Sequence, residues 1–443
     1  MTLDLKGKTL TLKEGVQAPV LEVGDKKTGK DKTALILTDS ADEKGAVKSS
    51  ANAAAICVRA GASMITEDVH IKFEDENHAA ANMAVQVQGQ ITVKKGTKID
   101  STEYGVGALE NSKVVIEDGE ITATVSAVSG NGTWHDTEIT IKGGTLTSTE
   151  SAGIYHPQRG KLTLSGGTIK GLTGVQMCAG ELDIPADSTV KVIATGEDKR
   201  GDKGAGDGPI DDGAAISIVD RGYPGGTPEA TIKGGSFVAE KTDNAVLAYT
   251  WNAKAEGDKH SEWTEAGDKV AVSGGTYNTP IAEELLADGF GMNEPDKNGN
   301  YGVHEHKMTK FEKKDATCTE AGAKQAYFKC SVCEKYFEDE DGKIEITNVE
   351  ELIIPVKGHL DENKDDKCDI CGVSLSDKPN PDTNTGKDPN GSSGNGNGSN
   401  DKGKTDKGAV KTGDTANVAG YLSIMVLAAG VVVLSISRKR RTK

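Results

Sequence analysis

The chain has 443 residues, of which 35% are hydrophobic, only 4% are aromatic and 55 are glycine. This length exceeds what one small hydrophobic core can organise, so two or more structural units are expected. So few aromatic residues argue against a large globular core and against a glycan site built from stacked rings. The formal net charge of −16 argues against nucleic acid as a partner, since phosphate binding needs a basic face.

The first 290 residues carry a repeated pattern of strands and turns. Short runs with alternating apolar residues, such as "VQVQGQITV" at 85–93, are separated by Gly, Asn and Asp. Gly-Gly corners recur at a fixed interval in "EITIKGGTLT" (138–147) and "GKLTLSGGTIKG" (160–171), which is typical of a solenoid and not of a two-sheet β-sandwich. Glycine suits these corners because a positive φ costs it little. We therefore predict an all-β fold with a right-handed parallel β-helix over residues 1–290.

Three features within this region lead to more local predictions. Residues 196–213 have no apolar pattern and are predicted to form an exposed loop. After the last coil, Thr279 as N-cap and Pro280 at the first helical position predict a short helix that covers the open end of the solenoid. Cys57 and Cys178 fall within aliphatic strand patterns and are expected to be buried as small hydrophobic residues.

The rest of the chain divides into three parts. Residues 301–373 hold five of the seven cysteines and are predicted to form a small Cys/His module. Residues 374–409 are almost entirely polar or small, which predicts a flexible linker with nothing to bury. Within residues 410–443, an uncharged run at 418–436 is long enough to cross a bilayer as one helix, and "RKRRTK" follows it. Because basic residues stay on the cytoplasmic side, everything before this span is expected to lie outside the cell.

The tail "AVKTGD" at 409–414, together with the apolar span and the basic end, resembles a Gram-positive cell-wall sorting signal. In that family a sortase cuts an LPxTG-type pentapeptide between Thr and Gly and joins the Thr to peptidoglycan. The resemblance implies a cut between Thr412 and Gly413. Ala409 and Val410 stand where the family has Leu and Pro, so a plain single-span membrane anchor stays open as the alternative.

Two further segments resemble parts of Gram-positive surface proteins. Residues 151–184 resemble the repeats of large surface-anchored β-helix proteins from gut Gram-positive bacteria, and residues 306–346 are similar to a Cys/His repeat that is common in those proteins. The resemblance implies secretion. Since "MTLDLKGKTLTL" begins inside a strand without a secretion leader, we expect a leader and further coils upstream.

The Cys/His module contains two candidate metal sets, because a C-x-x-C pair commonly supplies two of the four ligands of a zinc site. The first set is His306, Cys318, Cys330 and Cys333, with His304 as a possible substitute for His306. The second set is His359, Cys368 and Cys371, without an obvious fourth ligand. Disulfides are the alternative in an oxidising exterior. Zinc in these sets would be structural, because four protein ligands leave no open position for a substrate.

A calcium site is not expected. The acidic run "DENKDD" at 361–366 alternates oxygen side chains as a calcium loop does. It lacks the glycine at the sixth place and the later bidentate Glu of such loops, so we interpret it as a solvated turn.

Two successive coils carry a candidate surface patch for ligand binding. Its residues are Trp134, His135, Tyr155, His156 and Arg159. One coil apart, these side chains could share one side of the solenoid. Because spacing places no acid–base pair here, no catalytic residue is assigned.

These features predict a protein of the cell surface, anchored to the wall or membrane by its C-terminus. The leading expectation is a non-enzymatic adhesin or display protein that meets glycans, host ligands or other cells, because long solenoid faces offer many weak contacts. The alternative is a surface polysaccharide lyase or glycoside hydrolase, which would need acid and base side chains stacked on successive coils. A third possibility is a pure spacer without a ligand.

Overall fold

The structure is a computed structural model. It describes residues 1–375, except residues 14, 26–31, 51–52, 76–81, 132–135, 203–206, 253–261 and 266–268. The sorting residues Thr412 and Gly413, the predicted membrane span and the predicted linker beyond residue 375 lie outside the described residues. Within the described part of the chain, no helix is long and apolar enough to cross a membrane.

Almost all regular structure is β-strand. In chain order the strands are β1 (Thr2–Asp4), β2 (Leu21–Val23), β3 (Ala34–Thr38), β4 (Ala46–Ser49), β5 (Ile56–Val58), β6 (Ser63–Glu67), β7 (His70–Phe73), β8 (Met83–Val87), β9 (Gln90–Val93), β10 (Lys98–Ser101), β11 (Tyr104–Ala108), β12 (Lys113–Ile116), β13 (Glu120–Ala123), β14 (Ser126–Ser129), β15 (Thr137–Ile141), β16 (Thr145–Ser148), β17 (Ala152–His156) and β18 (Gly160–Leu164). They continue with β19 (Thr168–Gly171), β20 (Thr173–Met177), β21 (Glu181–Ile184), β22 (Lys191–Ala194), β23 (Ile216–Asp220), β24 (Glu229–Ile232), β25 (Ser236–Ala239), β26 (Val246–Asn252), β27 (Glu262–Glu265), β28 (Val270–Val272), β29 (Thr276–Tyr277), β30 (Phe290–Met292), β31 (Tyr301–Glu305), β32 (Met308–Phe311), β33 (Gly322–Ala323), β34 (Tyr327–Cys330), β35 (Tyr336–Phe337) and β36 (Ile353–Ile354). Three short 3₁₀ turns complete the described elements, at Arg200–Asp202, Glu283–Leu285 and Val349–Glu351.

Three long sheets contain most of these strands. Sheet A has ten strands in the order β1-β3-β6-β9-β12-β15-β18-β21-β24-β28. Sheet B has eleven in the order β30-β31-β29-β25-β22-β19-β16-β13-β10-β7-β4. Sheet C has ten in the order β2-β5-β8-β11-β14-β17-β20-β23-β26-β27. From β5 to β26 the chain visits sheets C, A and B in turn, and every third strand pairs in parallel with the one before it. This is the architecture of a β-helix solenoid, as the glycine repeat predicted.

The core of the solenoid is a narrow aliphatic column. Side chains that share a position in the ladder stack coil upon coil, as Ile139, Leu162 and Leu182 do in sheet A. At the C-terminal end the column closes with two rings, Phe237 and Tyr277, whose centroids lie 5.1 Å apart. Cys57 and Cys178 are both completely buried, which confirms the prediction for them. A column of this width has little room for large side chains, which explains the low aromatic content.

The Gly-Gly corners stack on one another through their backbones. Gly144 and Gly167 have φ of +82° and +85°. The N–H of Thr145 donates to the carbonyl of Gly119 at 2.8 Å, and that of Thr168 donates to the carbonyl of Gly144 at 2.9 Å. A Cβ at Gly167 would lie 2.8 Å from backbone atoms of Gly143 in the coil before it. Glycine is therefore needed both for φ and for the close approach of the two backbones.

The segment 196–213 differs from its prediction in part, because residues 210–212 pack on the outer face of sheet C, whereas residues 197–199 are exposed as predicted. Gln176 exchanges two hydrogen bonds with the backbone of Ile210, at 2.7 and 2.8 Å. The carboxylate of Asp212 is fully buried and accepts a hydrogen bond from the hydroxyl of Tyr249 at 3.0 Å. Burial raises the pKa of this carboxyl above its ordinary value, in spite of the donors around it. Polar side chains on the outer face pair with this segment, a match that apolar periodicity does not reveal.

The predicted helix after Thr279 is absent from the described structure, and a single 3₁₀ turn, Glu283–Leu285, stands near its place. The hydroxyl of Thr279 accepts a hydrogen bond from the N–H of Ala245 at 2.9 Å, so it is not available as an N-cap. Ala282 precedes the turn and provides no side-chain cap. The end of the solenoid is closed instead by β31, which pairs antiparallel with β29 and β30.

The Cys/His module follows directly. Strands β32, β34 and β35 form a small antiparallel sheet, and β33 pairs antiparallel with β36. Seven large hydrophobic side chains in this region are 39% exposed or more, namely Phe311, Val332, Ile344, Val356, Leu360, Ile370 and Val373. The module therefore buries little apolar surface of its own.

We predict that replacing Gly167 by Ala destabilises the solenoid more than replacing Gly226 by Ala. Both glycines have a similar positive φ, +85° and +87°, but a Cβ at Gly226 would meet nothing within 4 Å. The strain of a positive φ is therefore common to both variants, while Gly167→Ala adds a clash between the new Cβ and the backbone of Gly143. We expect an additional loss of about 2 kcal/mol in the free energy of unfolding. Urea unfolding followed by circular dichroism measures the difference, and equal losses would contradict the role of the close approach.

Candidate metal centres and surface sites

The first candidate metal centre consists of His304, His306, Cys330 and Cys333. Their potential ligand atoms all lie within 4.8 Å of one another. Nε2 of His304 is 3.8 Å from Sγ of Cys330, and Nδ1 of His306 is 3.9 Å from Sγ of Cys333. His304 lies on β31 and His306 just after it, while Cys330 ends β34 and Cys333 follows in the turn.

The surroundings hold the imidazole of His306 in place. A Cβ at Gly291 would lie 2.5 Å from Cε1 of this ring, and a Cβ at Gly342 would lie 2.4 Å from Cδ2. The ring of Phe337 is 4.8 Å away between centroids. Glycines on both sides thus leave a slot that the imidazole fills, which restricts the orientation of this ligand.

The second centre consists of Cys318, His359, Cys368 and Cys371. The two sulfur atoms of Cys318 and Cys368 lie 3.7 Å apart, and Sγ of Cys371 is 3.4 Å from Nδ1 of His359. Cys318 and Cys368 are buried, whereas His359 and Cys371 are exposed. This set of three thiols and one imidazole is complete, because Cys318 supplies the fourth ligand that the sequence left open.

The structure thus corrects the assignment of Cys318, which the sequence analysis placed with His306, Cys330 and Cys333. Pairing of β33 with β36 brings the start of the module beside its end, and the N–H of Lys357 donates to the carbonyl of Thr317 at 2.9 Å. Cys318 is thereby carried to the second C-x-x-C turn. His304 takes its place in the first centre, alongside His306.

Both donor sets fit zinc. Around a tetrahedral zinc ion with Zn–S bonds of about 2.3 Å and Zn–N bonds of about 2.0–2.1 Å, neighbouring ligand atoms are roughly 3.4–3.8 Å apart. The contacts of 3.4 to 3.9 Å in the two centres match this spacing. The sulfur–sulfur distance among them, 3.7 Å between Cys318 and Cys368, exceeds the S–S bond of a disulfide. The two Cys/His clusters could therefore hold metal ions such as zinc. With four protein ligands each, their role would be structural.

In each centre, hydrogen-bond donors of the C-x-x-C turn stabilise the thiolate form of one cysteine. Burial by itself would raise the pKa of the Cys330 thiol, but the N–H groups of Cys333 and Val332 and the ring of His306 donate to its sulfur and lower the pKa to about 5. Burial would likewise raise the pKa of the Cys368 thiol. Backbone N–H donors and an imidazole outweigh this effect, so the pKa of this thiol is lowered to about 5. Thiolate is the form that binds metal, so both centres carry a ready ligand at neutral pH.

The described residues of the predicted surface patch, Tyr155, His156 and Arg159, do not share one face. Trp134 and His135 lie outside the described residues. His156 points into the solenoid and is fully buried, with Nδ1 3.1 Å from the carbonyl oxygen of Ala179. Arg159 is exposed and pairs with Asp136 through contacts of 2.5 and 2.9 Å. His156 therefore cannot contact a surface ligand, and Arg159 is engaged in an ion pair.

Tyr155, in contrast, lines a groove of about 530 Å³ on the outer face of sheet C. The hydroxyl of Tyr155 is 3.1 Å from that of Tyr223, whose hydroxyl donates to Asp207 at 3.4 Å. We call this cavity the tyrosine groove. Its lining residues are Met83, Tyr104, Ser129, Gly130, Asn131, Tyr155, Pro157, Asp207, Gly208, Tyr223 and Pro224. Sequence reasoning missed Tyr104 and Tyr223, which come from distant coils and turns.

The outer face of sheet A bears a ladder of charged residues. Its members, in register, are Lys113, Glu138, Lys161, Glu181 and Glu229. Lys113 pairs with Glu138 at 2.8 Å, and Lys269 pairs with Glu229 at 2.7 Å. Glu181 and Glu229 lie side by side, but both are exposed to solvent. This arrangement is that of a solvated charge ladder, and no shielding distinguishes one of the two carboxylates as an acid.

Comparisons of the chain with protein-family profiles, with curated proteins and with solved structures give no match.

We predict that the chain binds two zinc ions and that the cysteines divide between them as the structure places them. Cys330→Ser and Cys318→Ser should each remove one ion, and the double variant should remove both, because the two residues belong to different centres. Metal content after gel filtration and native mass spectrometry measure the stoichiometry. Cys57→Ala, in the solenoid core, is the control and should retain both ions. If the double variant kept one ion, Cys318 and Cys330 would share a centre.

We also predict that His156 makes the stability of the solenoid sensitive to acid. Burial lowers the pKa of this imidazole to about 4, below the ordinary value of about 6.5. The unfolded state therefore binds the proton first as the pH falls from 6.5 to 4, and up to about 3 kcal/mol of stability is lost.

The variant His156→Gln removes this titration and keeps an amide that can donate to Ala179. Denaturant unfolding of both proteins at pH 7, 5.5 and 4 should show a steeper decline for the wild type. Metal release in acid is common to the two proteins and cancels in the comparison. Parallel pH profiles would contradict the prediction.

Proposed function

We propose that this protein is a non-enzymatic adhesion or display protein of a Gram-positive cell surface, and that its solenoid contacts glycans. The observation that carries this proposal is the tyrosine groove on the outer face of sheet C. We take the coils to be right-handed, as parallel crossover connections nearly always are. The zinc centres would serve the structure of the Cys/His module and not the binding of the glycan.

The lining of the tyrosine groove suits a sugar. The half-buried rings of Tyr104 and Tyr223 offer amphipathic surfaces without forming a stack of aromatic rings, and Asn131 and Asp207 offer polar atoms for hydroxyl groups. A volume of about 530 Å³ lies within the usual range for small-ligand sites. The lining contains the acidic side chain of Asp207 and no basic one, and the nearby guanidinium of Arg221, 5.1 Å from the ring centroid of Tyr223, already donates to the carbonyl of Gly208. This favours neutral glycans over polysaccharides that carry carboxylates or sulfates.

The tail of the sequence supports the location. The likeness of residues 409–414 to a sorting signal favours covalent attachment to peptidoglycan through Thr412 after cleavage before Gly413. If that cleavage does not occur, residues 418–436 would hold the protein in the membrane. In both cases the solenoid is displayed outside the cell, where many copies can bind together.

The alternative, a polysaccharide lyase or glycoside hydrolase, has weaker support. Such an enzyme requires one protonated side chain as the acid and one deprotonated side chain as the base, on neighbouring coils. Glu181 and Glu229 are neighbours on sheet A, but both are exposed and Glu229 is paired with Lys269. We therefore favour binding over catalysis.

The test is an array of plant polysaccharides, mucin glycans and peptidoglycan, probed with the purified full-length chain and scored for both retention and released oligosaccharide. We predict retention on neutral glycans without release. Tyr223→Ala should weaken retention about tenfold or more, because an aromatic contact in a binding site is worth roughly 1–2 kcal/mol. Tyr336→Ala, which changes a tyrosine of the module, is the matched control and should bind like the wild type.

Released product, above all unsaturated product, would overturn the non-enzymatic proposal. If the wild type and Tyr223→Ala were retained equally, the binding site would lie outside the tyrosine groove. If the array showed neither retention nor release, the third possibility, a pure spacer without a ligand, would be favoured.

A further inference from the structure

We propose that the first metal centre is a metal-dependent joint between the C-terminal coil of the solenoid and the Cys/His module, whereas the second centre acts within the module alone. The inference concerns which parts of the chain each ion would hold together. It rests on the division of the ligands between two sheets and not on the glycan proposal.

The histidines of the first centre belong to the solenoid side. Strand β31, which carries His304, pairs with β29, and β29 in turn pairs with β25 in sheet B. The partner of Tyr301 in this ladder is Tyr277, whose side chain is completely buried at the end of the core. The N–H of His306 donates to the carbonyl of Gly289 at 2.8 Å, on the segment that leads into β30. The backbone positions of both histidines are thus set by the solenoid, while the ring of His306 also contacts Gly342 and Phe337 of the module.

The cysteines of the first centre belong to the module. Cys330 is the last residue of β34, whose neighbours are β32 and β35. The N–H of Val332 donates to Sγ of Cys330 at 3.3 Å, and the N–H of Cys330 donates to the carbonyl of Lys335 at 3.0 Å. These bonds shape the turn that presents both thiols. An ion bound by two histidines and two cysteines here would link the two sheets by four coordinate bonds.

The other contacts between these two parts include one backbone hydrogen bond at the hinge, from the N–H of Ser331 to the carbonyl of Lys307 at 3.0 Å, and side-chain contacts of a weaker kind. Lys343 pairs with Asp288 at 3.0 Å, but both side chains are more than half exposed, and an exposed ion pair contributes little. Gly342 and Phe337 lie against the ring of His306. These contacts orient the ligand, but they depend on the imidazole remaining in its slot. Metal binding would keep it there.

All ligands of the second centre come from the module. Cys318 precedes β33, while His359, Cys368 and Cys371 follow β36, and these two strands pair with each other. An ion in this centre would close the module between its beginning and its end, without a bond to the solenoid. The two centres therefore have separate mechanical roles, although their ligand types are similar.

The consequence concerns how the solenoid is held. The chain leaves the module after residue 375 toward the predicted linker and anchor. A metal ion in the first centre would make the solenoid and the module one rigid body, and its loss would leave a hinge at residues 306–308, between the last solenoid strand and β32. The direction of the solenoid relative to its tether would then depend on metal.

Hydrogen exchange of the full-length, zinc-loaded chain, read by mass spectrometry, tests the joint. The variants are His304→Ala, which leaves every cysteine in place, and Cys368→Ser, which changes only the second centre. In His304→Ala we expect exchange to rise about tenfold or more at residues 304–308 and 341–343, while β17 to β22 and β32 to β34 keep the wild-type rates. In Cys368→Ser the increase should be confined to residues 359–373.

Three results would overturn the proposal. The first is unchanged exchange at 304–308 and 341–343 in a His304→Ala protein that has lost one metal equivalent. The second is an equal increase at the joint in Cys368→Ser. The third is loss of protection throughout β32 to β35 in His304→Ala, because the ion would then fold the module and not only attach it. None of these results depends on a glycan, so failure of the joint and failure of the adhesion proposal are distinguishable.

Discussion

The constraint on which this structure depends is that each coil must repeat the backbone path of the coil before it. From β5 to β26, parallel hydrogen bonds connect each strand to its counterpart one coil away, and at the corners the backbones approach too closely for a Cβ. Extra residues are therefore tolerated only between strands. Glu181 pairs directly with Glu229, although the chain between them includes β22, β23 and the segment 196–213. Sheet A continues in register across this insertion.

Insertions placed between strands then become the source of chemical variety. The outer face of sheet C is covered where residues 210–212 lie on it and open where the tyrosine groove begins. Where it is covered, Gln176, Thr173 and Tyr249 provide hydrogen bonds to the buried segment, so desolvation of Asp212 is partly offset. The surface of the solenoid is therefore irregular although its strands are regular, because insertions between strands leave the pairing of the strands unchanged.

The repetitive part of the fold was predictable because it depends on local rules: glycine at the corners and alternation along strands. The failures came from interactions between distant segments. Cys318 was assigned by its distance along the chain, but the pairing of β33 with β36 decides its partner centre. Thr279 was expected as an N-cap, yet its hydroxyl serves the backbone of Ala245. For His156 a signal was available, since consecutive residues of a strand point to opposite faces and Tyr155 and His156 cannot share one.

The positions of the two candidate metal centres can be explained by the end of the solenoid, where no further coil covers the core. A coil stack exposes its core where it stops, and a terminal element must cover it. Here the covering strand β31 continues into a module that is too small and too exposed to be held by apolar burial, as Phe311, Ile344 and Val356 show. Coordinate bonds can take the place of the missing core in such small units. Metal ligands are therefore expected where large apolar side chains contribute least to the packing, and the two Cys/His clusters that could hold metal ions lie in this region.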